Sequence, residues 1–158
     1  MFTDEVIDFS APYFMAHQKI LVPYASPAQA LADLGGRTIL FTFGSTSEHN
    51  IKKKLPEANY IGFKTATDAF SALKAGRGDA LTNDNTILSG FINSACGFRV
   101  LQDELSDEPY GIGFRQDPAT RALRERVNRE LATMREDGTL ARLEKKWFGK
   151  APDGRPCE

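Results

Sequence analysis

Thr38-Ile39-Leu40-Phe41-Thr42-Phe43-Gly44-Ser45-Thr46-Ser47-Glu48 joins a strand signal to a helix start with no spacer. Residues 38–43 are β-branched, apolar or aromatic, and glycines bound them at Gly36 and Gly44. Such a run reads as a strand buried on both faces. Ser45 with Glu48 three positions later is a capping box, so a helix begins there and runs to about Leu55, before Pro56.

The same alternation continues outward. Asn59-Tyr60-Ile61-Gly62-Phe63 reads as the next strand. Thr65 or Thr67 caps a helix with an apolar stripe at Ala69, Phe70 and Leu73, and Gly76 supplies a left-handed stop. Asp79-Ala80-Leu81-Thr82 is a short strand. Asn83-Asp84-Asn85 then opens a helix with apolar positions Ile87, Leu88, Phe91 and Ile92, and Phe98 to Leu101 is a further strand. Repeated strand–helix–strand units give an α/β fold with a mostly parallel sheet and helices on both faces. In such sheets ligands sit beyond the carboxyl ends of the strands. Gly44–Ser47 and Asn83–Asn85 both occupy that position.

Beyond this region, Tyr110, Ile112 and Phe114 alternate as in a half-buried strand. Asp117-Pro118 starts a helix with proline at its first position and a stripe of Leu123, Val127, Leu131 and Met134. Asp137-Gly138 breaks it, and Thr139 restarts a helix through Leu140, Leu143, Trp147 and Phe148, with Trp147 and Phe148 read as core residues sealing it. Ala151 to Glu158 reads as a loose polar tail.

The chain has 158 residues, the size of one ordinary domain. Lys plus Arg (20) nearly balances Asp plus Glu (21), where a nucleic-acid binder would be far more basic, so no nucleic-acid partner is expected. The apolar runs are too short for a membrane span. MFTDEVIDFS lacks the basic and apolar regions of a signal peptide. Two histidines, His17 and His49, and two distant cysteines argue against a zinc site, and no metal or cofactor is expected. Cys96 and Cys157 are either two free thiols or a disulfide, which would close a loop of about 60 residues worth about 4 kcal/mol.

The Gly44-Ser45-Thr46-Ser47 turn offers free first-turn amides, the positive end of a helix dipole and two hydroxyls. It suits a carboxylate or phosphate, although an ordinary N-cap uses the same residues. The glycines do not fit a Walker loop, since no Gly-Lys-Ser/Thr follows. Asp84 either caps the next helix or faces a cleft and pairs with an ammonium group. Taken together, one turn that wants an anion and one residue that offers one suit an α-amino acid zwitterion. No Ser-His-Asp set, nucleophile elbow or close carboxylate pair is present, so no enzyme is expected. Lys52-Lys53-Lys54 reads as a solvated helix face, and Lys64, before the helix at Ala66, as an exposed lysine.

The ordered set of blocks resembles the bacterial amino-acid-binding proteins that serve ABC importers, extracellular solute-binding proteins of family three. The blocks are Val6-Ile7-Asp8-Phe9-Ser10-Ala11-Pro12-Tyr13-Phe14, Asp33-Leu34-Gly35-Gly36-Arg37-Thr38, Phe43-Gly44-Ser45-Thr46, Ala72-Leu73-Lys74-Ala75-Gly76-Arg77-Gly78-Asp79-Ala80 followed by Asp84, Glu108-Pro109-Tyr110-Gly111-Ile112-Gly113, and Asp137-Gly138-Thr139 with Lys146-Trp147-Phe148-Gly149. The resemblance implies a two-lobed, periplasmic-binding-protein type II clamp. Residues 1–16 would be a remnant of lobe 1 and hinge, 17–109 the α/β lobe 2, 110–149 a hinge strand with lobe 1 C-terminal helices, and 150–158 a tail. Thr46 and neighbouring amides would hold the ligand carboxylate, Asp84 its ammonium, and Phe43, Gly44 and Ser45 would line the pocket.

In the family, most of the first lobe precedes the block at 6–14, and here it is mostly absent. With it go the aromatic platform and the arginine that the family uses for the ligand carboxylate. Leu123, Val127, Leu131, Trp147 and Phe148 would then be exposed unless another copy covers them. The resulting expectation is a periplasmic solute-binding component for a polar amino acid, handing its ligand to ABC permease subunits, with homo-oligomers through the exposed helices. The alternative is a truncated or domain-swapped interaction module with little ligand binding of its own.

Overall fold

The computed structural model describes residues 7–148 and 156–157. Position 6 and most of the tail expected at 150–158 lie outside the described residues. The chain divides into two compact units, one of residues 1–16 with 109–149, the other of 17–108 with 150–158.

The second unit is built on a sheet ordered β4-β3-β5-β2-β6, comprising β2 (Phe14–Pro23), β3 (Thr38–Thr42), β4 (Asn59–Phe63), β5 (Ala80–Asp84) and β6 (Phe98–Val100). β7 (Ser106–Tyr110) pairs with β2 off this path. β3 is parallel to β4 and β5, whereas β2 is antiparallel to β5 and β6. β3, β4, β5 and β6 therefore share one direction, β2 runs opposite to them, and the sheet is mixed.

Three helices cover this sheet: α1 (Thr46–Lys54), α2 (Ala66–Lys74) and α3 (Asn85–Ser94). Neighbouring residues along a strand point to opposite faces. Ile20, Ile39 and Ala80 accordingly join Ile51 and Leu55 of the α1 side in one buried cluster. Their neighbours Leu21, Leu40 and Leu81 join Phe70, Leu73, Leu88 and Ile92 of α2 and α3 in the other. Phe70 stacks on Phe91 at 4.3 Å. The sheet is thus covered on both faces, which is why β3 reads as uninterrupted apolar sequence.

The helix boundaries follow the caps. Ser45 Oγ accepts from the Glu48 amide at 3.3 Å, and Thr65 rather than Thr67 caps α2, accepting from the Asp68 amide at 3.1 Å. The capping box is displaced, because the Glu48 carboxylate returns to the Gly44 amide (2.9 Å) instead of that of Ser45. Tyr60 Oη donates to the Ile51 and Leu55 carbonyls and closes the far end of α1. Burial, then the Glu57 charge, pushes the Tyr60 hydroxyl above its ordinary pKa.

In the other unit, β1 (Ile7–Phe9) pairs antiparallel with β8 (Gly113–Arg115), and α4 (Pro118–Glu136) and α5 (Thr139–Phe148) follow. The expected strand through Tyr110, Ile112 and Phe114 is two strands. Ile112 lies between them, where its amide donates to Ser10 Oγ and its carbonyl accepts the Ser10 amide, both at 2.9 Å.

The α4 stripe is only partly covered. Leu131 is buried, correcting the expectation of exposure, while Leu123 is exposed. Asn128 Oδ1 accepts the Ala11 amide, Arg124 pairs with Asp8, and Arg135 donates to the Pro12 carbonyl. These contacts lay segment 8–12 along the Leu131 face. Phe148 packs against Phe14 with ring centroids 4.7 Å apart and planes tilted by 40°, yet it stays 44% exposed and Trp147 is 67% exposed, so the expected core role fails for both.

Cys96 and Cys157 form a disulfide. No helix among the described residues is long and apolar enough to cross a membrane.

Candidate functional site

β3 and β5 are parallel neighbours in register, Ile39 opposite Ala80 and Leu40 opposite Leu81. Their carboxyl ends therefore lie side by side. The chain leaving β3 turns through Phe43 and Gly44 into α1, and β5 ends at Asp84, the N-cap of α3. Two helix N-termini and one carboxylate meet on one rim.

Gly44 has φ +69°, a left-handed conformation that side chains disfavour, and so it permits the tight turn into α1. The Ser45 hydroxyl donates to the Thr42 carbonyl at 2.6 Å and shares a 2.8 Å bond with Ser47, so it is occupied in building the turn. The amides of Gly44 and Glu48 are likewise used locally. Those of Thr46 and Ser47 have no hydrogen-bond partner among the described residues and are the donors left at the dipole's positive end. Phe43 is 60% exposed, its ring edge-on to Phe41 at 5.5 Å and lying over Gly62.

Asp84 is half-buried. Its amide donates to Asn83 Oδ1, and its side chain makes no capping bond to α3.

A polar network joins the two halves of the rim. Gln18 on β2 lies opposite Asp84 in the β2–β5 ladder. Its fully buried side chain donates from Nε2 to Thr46 Oγ1 at 2.6 Å and accepts from Asn50 Nδ2 at 2.8 Å. Thr46 Oγ1 donates to Glu108 Oε2 at 3.3 Å, while Glu108 Oε1 accepts from Ser106 Oγ (2.7 Å) and Asn50 (3.4 Å). The Thr46 hydroxyl proton thus points to Glu108, leaving the backbone amide as the donor for an incoming anion.

Sequence reasoning missed Gln18, Asn50 and Ser106, and quoted Glu108 only as part of a block. Asn50 was accessible in principle, since it lies one helical turn after Thr46. Gln18 carries no such signal.

Beside the turn, Gly44, Ser45, Glu48, His49, Lys52 and Lys53 line a depression of about 550 Å³. Glu48 occupies its anion-friendly end. The Lys52 hydrogen bond at 2.7 Å, then the Gly44 amide, hold its carboxyl below the ordinary range. Lys52, Lys53, Lys54 and Lys64 are exposed.

Residues 3–150 match the sequence profile of the bacterial extracellular solute-binding proteins, family 3. The chain belongs to this family. Among family relatives, the ABC transporter glutamine-binding protein GlnH of Bacillus subtilis is 40% identical over 147 residues, 92% of this chain and 53% of that protein. The glutamine-binding protein of Geobacillus stearothermophilus is 49% identical over 108 residues, 68% of this chain and 41% of that one. The solved structure of an ancestral arginine-binding protein bound to glutamine superposes with a TM-score of 0.77 at 35% identity, covering 94% of this chain and 68% of that one. The fold is that of the type II periplasmic binding proteins. The chain spans about half the length of the curated relatives it matches.

Proposed function

We propose that this chain is the solute-binding component of an ABC importer for a polar amino acid, working outside the cytoplasmic membrane. It forms one face of a two-lobed clamp and is a binder rather than an enzyme. The α-carboxylate docks on the Thr46 and Ser47 amides at the start of α1, Asp84 takes the α-ammonium, and Phe43, Gly44 and Ser45 line the approach. The reading rests on one observation: a donor-bearing helix start and a half-buried carboxylate end two adjacent parallel strands. Each charge-assisted hydrogen bond contributes about 1.5–3 kcal/mol. Both curated relatives described above are named for glutamine, which makes glutamine the first ligand to test. The Cys96–Cys157 disulfide suits an oxidising compartment.

Titrating the isotope-labelled chain with glutamine, arginine and glutamate tests this, with amide shifts read by NMR so that millimolar binding still registers. Shifts clustered at 44–47 and 83–85 are expected for at least one of them. N-acetylglutamine, lacking the ammonium, and the Asp84→Asn variant should each weaken binding about tenfold or more. No shift with any amino acid overturns the proposal.

The exposed Leu123, Leu143, Trp147 and Phe148 favour a second reading, an interaction module that associates through α4 and α5. Light scattering separates the two: a monomer that binds amino acids excludes the second, and an oligomer that binds none supports it.

A further inference from the structure

The fold brings together three ligand-type side chains that are far apart in sequence: His17 near the middle of β2, and Glu104 and Asp107 around the start of β7. His17 Nδ1 lies 2.9 Å from Asp107 Oδ1 and 3.6 Å from Glu104 Oε2, and one ligand atom from each residue falls within 4.8 Å of the others. The sequence reading set zinc aside because histidines are few and the cysteines lack ligand spacing. Neither criterion detects a mixed set assembled by strand pairing.

The geometry points to a divalent transition-metal site here, with zinc the best fit. Two ligands each about 2.0–2.2 Å from one zinc ion sit about 3–3.5 Å apart, close to the spacing of the His17 pairs. The three donors leave a coordination position for water.

An imidazole nitrogen with two carboxylate oxygens suits zinc and its neighbours, whereas calcium and magnesium prefer all-oxygen shells. Two ammonium groups lie near the two carboxylates, Lys54 Nζ donating to the Glu104 carbonyl at 3.1 Å. The other, Lys19 Nζ, binds the second Glu104 oxygen, Oε1, at 3.3 Å and reaches the Gln102 carbonyl at 3.3 Å. It therefore orients Glu104 from behind while Oε2 stays with His17. The backbone is fixed as well: the His17 amide donates to Asn85 Oδ1 at 3.1 Å, and the Leu105 amide donates to the Gln18 carbonyl at 2.8 Å. Asp107 is 72% exposed, which leaves an entry path for the ion.

Calorimetric titration of the intact chain with zinc tests the site, with no amino acid present so that the result is independent of solute binding. One equivalent of zinc should bind. His17→Gln and Asp107→Asn should each weaken binding tenfold or more, while His49→Gln leaves it unchanged and excess magnesium does not compete. A thermal melt without metal checks that each variant folds. Should His17→Gln fail to fold, the exposed Asp107 position decides. Absence of zinc binding, affinity unchanged in Asp107→Asn, or loss in His49→Gln instead overturns the proposal.

Discussion

Gln18 and Thr46 are joined by a 2.6 Å hydrogen bond across 28 residues of chain, the amide of a buried strand residue donating to the hydroxyl at the start of α1. This bond fixes the first turn of α1 against β2. Because Gln18 is also the ladder partner of Asp84, it places both ends of the proposed amino-acid site on one scaffold residue. Charged ligand groups are discriminated by donors and acceptors that do not have to move, and a buried amide held at both ends supplies that rigidity.

Thr46→Val keeps the side-chain shape and deletes the hydroxyl. The fully buried Gln18 amide then loses its acceptor, and an unsatisfied buried donor costs about 1–3 kcal/mol. Urea unfolding should show a lower midpoint at unchanged slope, and Thr46→Ser should recover most of the loss. A midpoint unchanged in Thr46→Val would show that the bond contributes nothing to stability.

The same residue explains where the sequence was legible and where it was not. β3 and β4, α1 to α3 and the starts of α4 and α5 were readable because apolar runs, periodic stripes and caps such as Ser45, Thr65 and Asp117 are local signals. β2, the longest strand, went unread. Its inward positions Phe14, Ala16 and Ile20 alternate properly, but Gln18 sits among them as a polar residue in a buried slot. Its partners Thr46 and Asn50 come from a helix 28 and 32 residues away, so nothing local shows that the amide is satisfied. Thr46 and Asp84 were legible as site candidates because both follow strand signals. The network behind them depends on long-range pairing and was not. The burial of Leu131 was missed for a similar reason, since its cover, segment 8–12, lies more than a hundred residues earlier.

The disulfide joins cysteines separated by 61 residues, ties Cys157 to the end of α3, and leaves Cys157 Sγ against Gly97. Closing a loop of that length stabilises by about 4 kcal/mol in the chain-entropy model. Cys96→Ser and Cys157→Ser should each lose up to that amount, and equally, because either breaks the same link. Dithiothreitol should shift the unfolding midpoint of the parent and leave both variants unmoved. A parent insensitive to reduction under unfolding conditions contradicts the pairing.

Two glycines without left-handed backbone make a matched pair. A Cβ at Gly78 would lie 2.6 Å from Leu40 Cδ2, inside the packed core, whereas a Cβ at Gly62 would meet the exposed Phe43 ring at 2.2 Å. Core overpacking costs about 1–3 kcal/mol, so Gly78→Ala should destabilise by that much. Gly62→Ala should cost less, because Phe43 can swing outward into solvent. Amino-acid affinity supplies the converse readout. It should change in Gly62→Ala, which displaces a proposed lining residue, and hold in Gly78→Ala under conditions where that variant is folded.

Acid should destabilise the chain through carboxylates whose folded pKa values are depressed. Lys52, then the Gly44 amide, hold Glu48 below its ordinary 4.5. The Gln29 and Ala30 amides hold Asp33, and the Thr139 hydroxyl and amide hold Asp137, below the ordinary 3.8. A depressed folded pKa means that the unfolded chain binds protons first. These groups therefore contribute fully above the unfolded values, and the contribution is lost as pH falls through them toward the lower folded values. Unfolding free energy measured from pH 7 downward should begin to drop near 4.5 on account of Glu48 and continue below 3.8 with the two aspartates. Glu48→Gln should flatten the upper part of that drop and lower the stability at pH 7. Added salt should shrink the difference between parent and variant, because Lys52 is exposed and its attraction is screened. An identical pH profile in Glu48→Gln would mean that the Lys52 and Gly44 contacts form equally well in the unfolded chain or not at all.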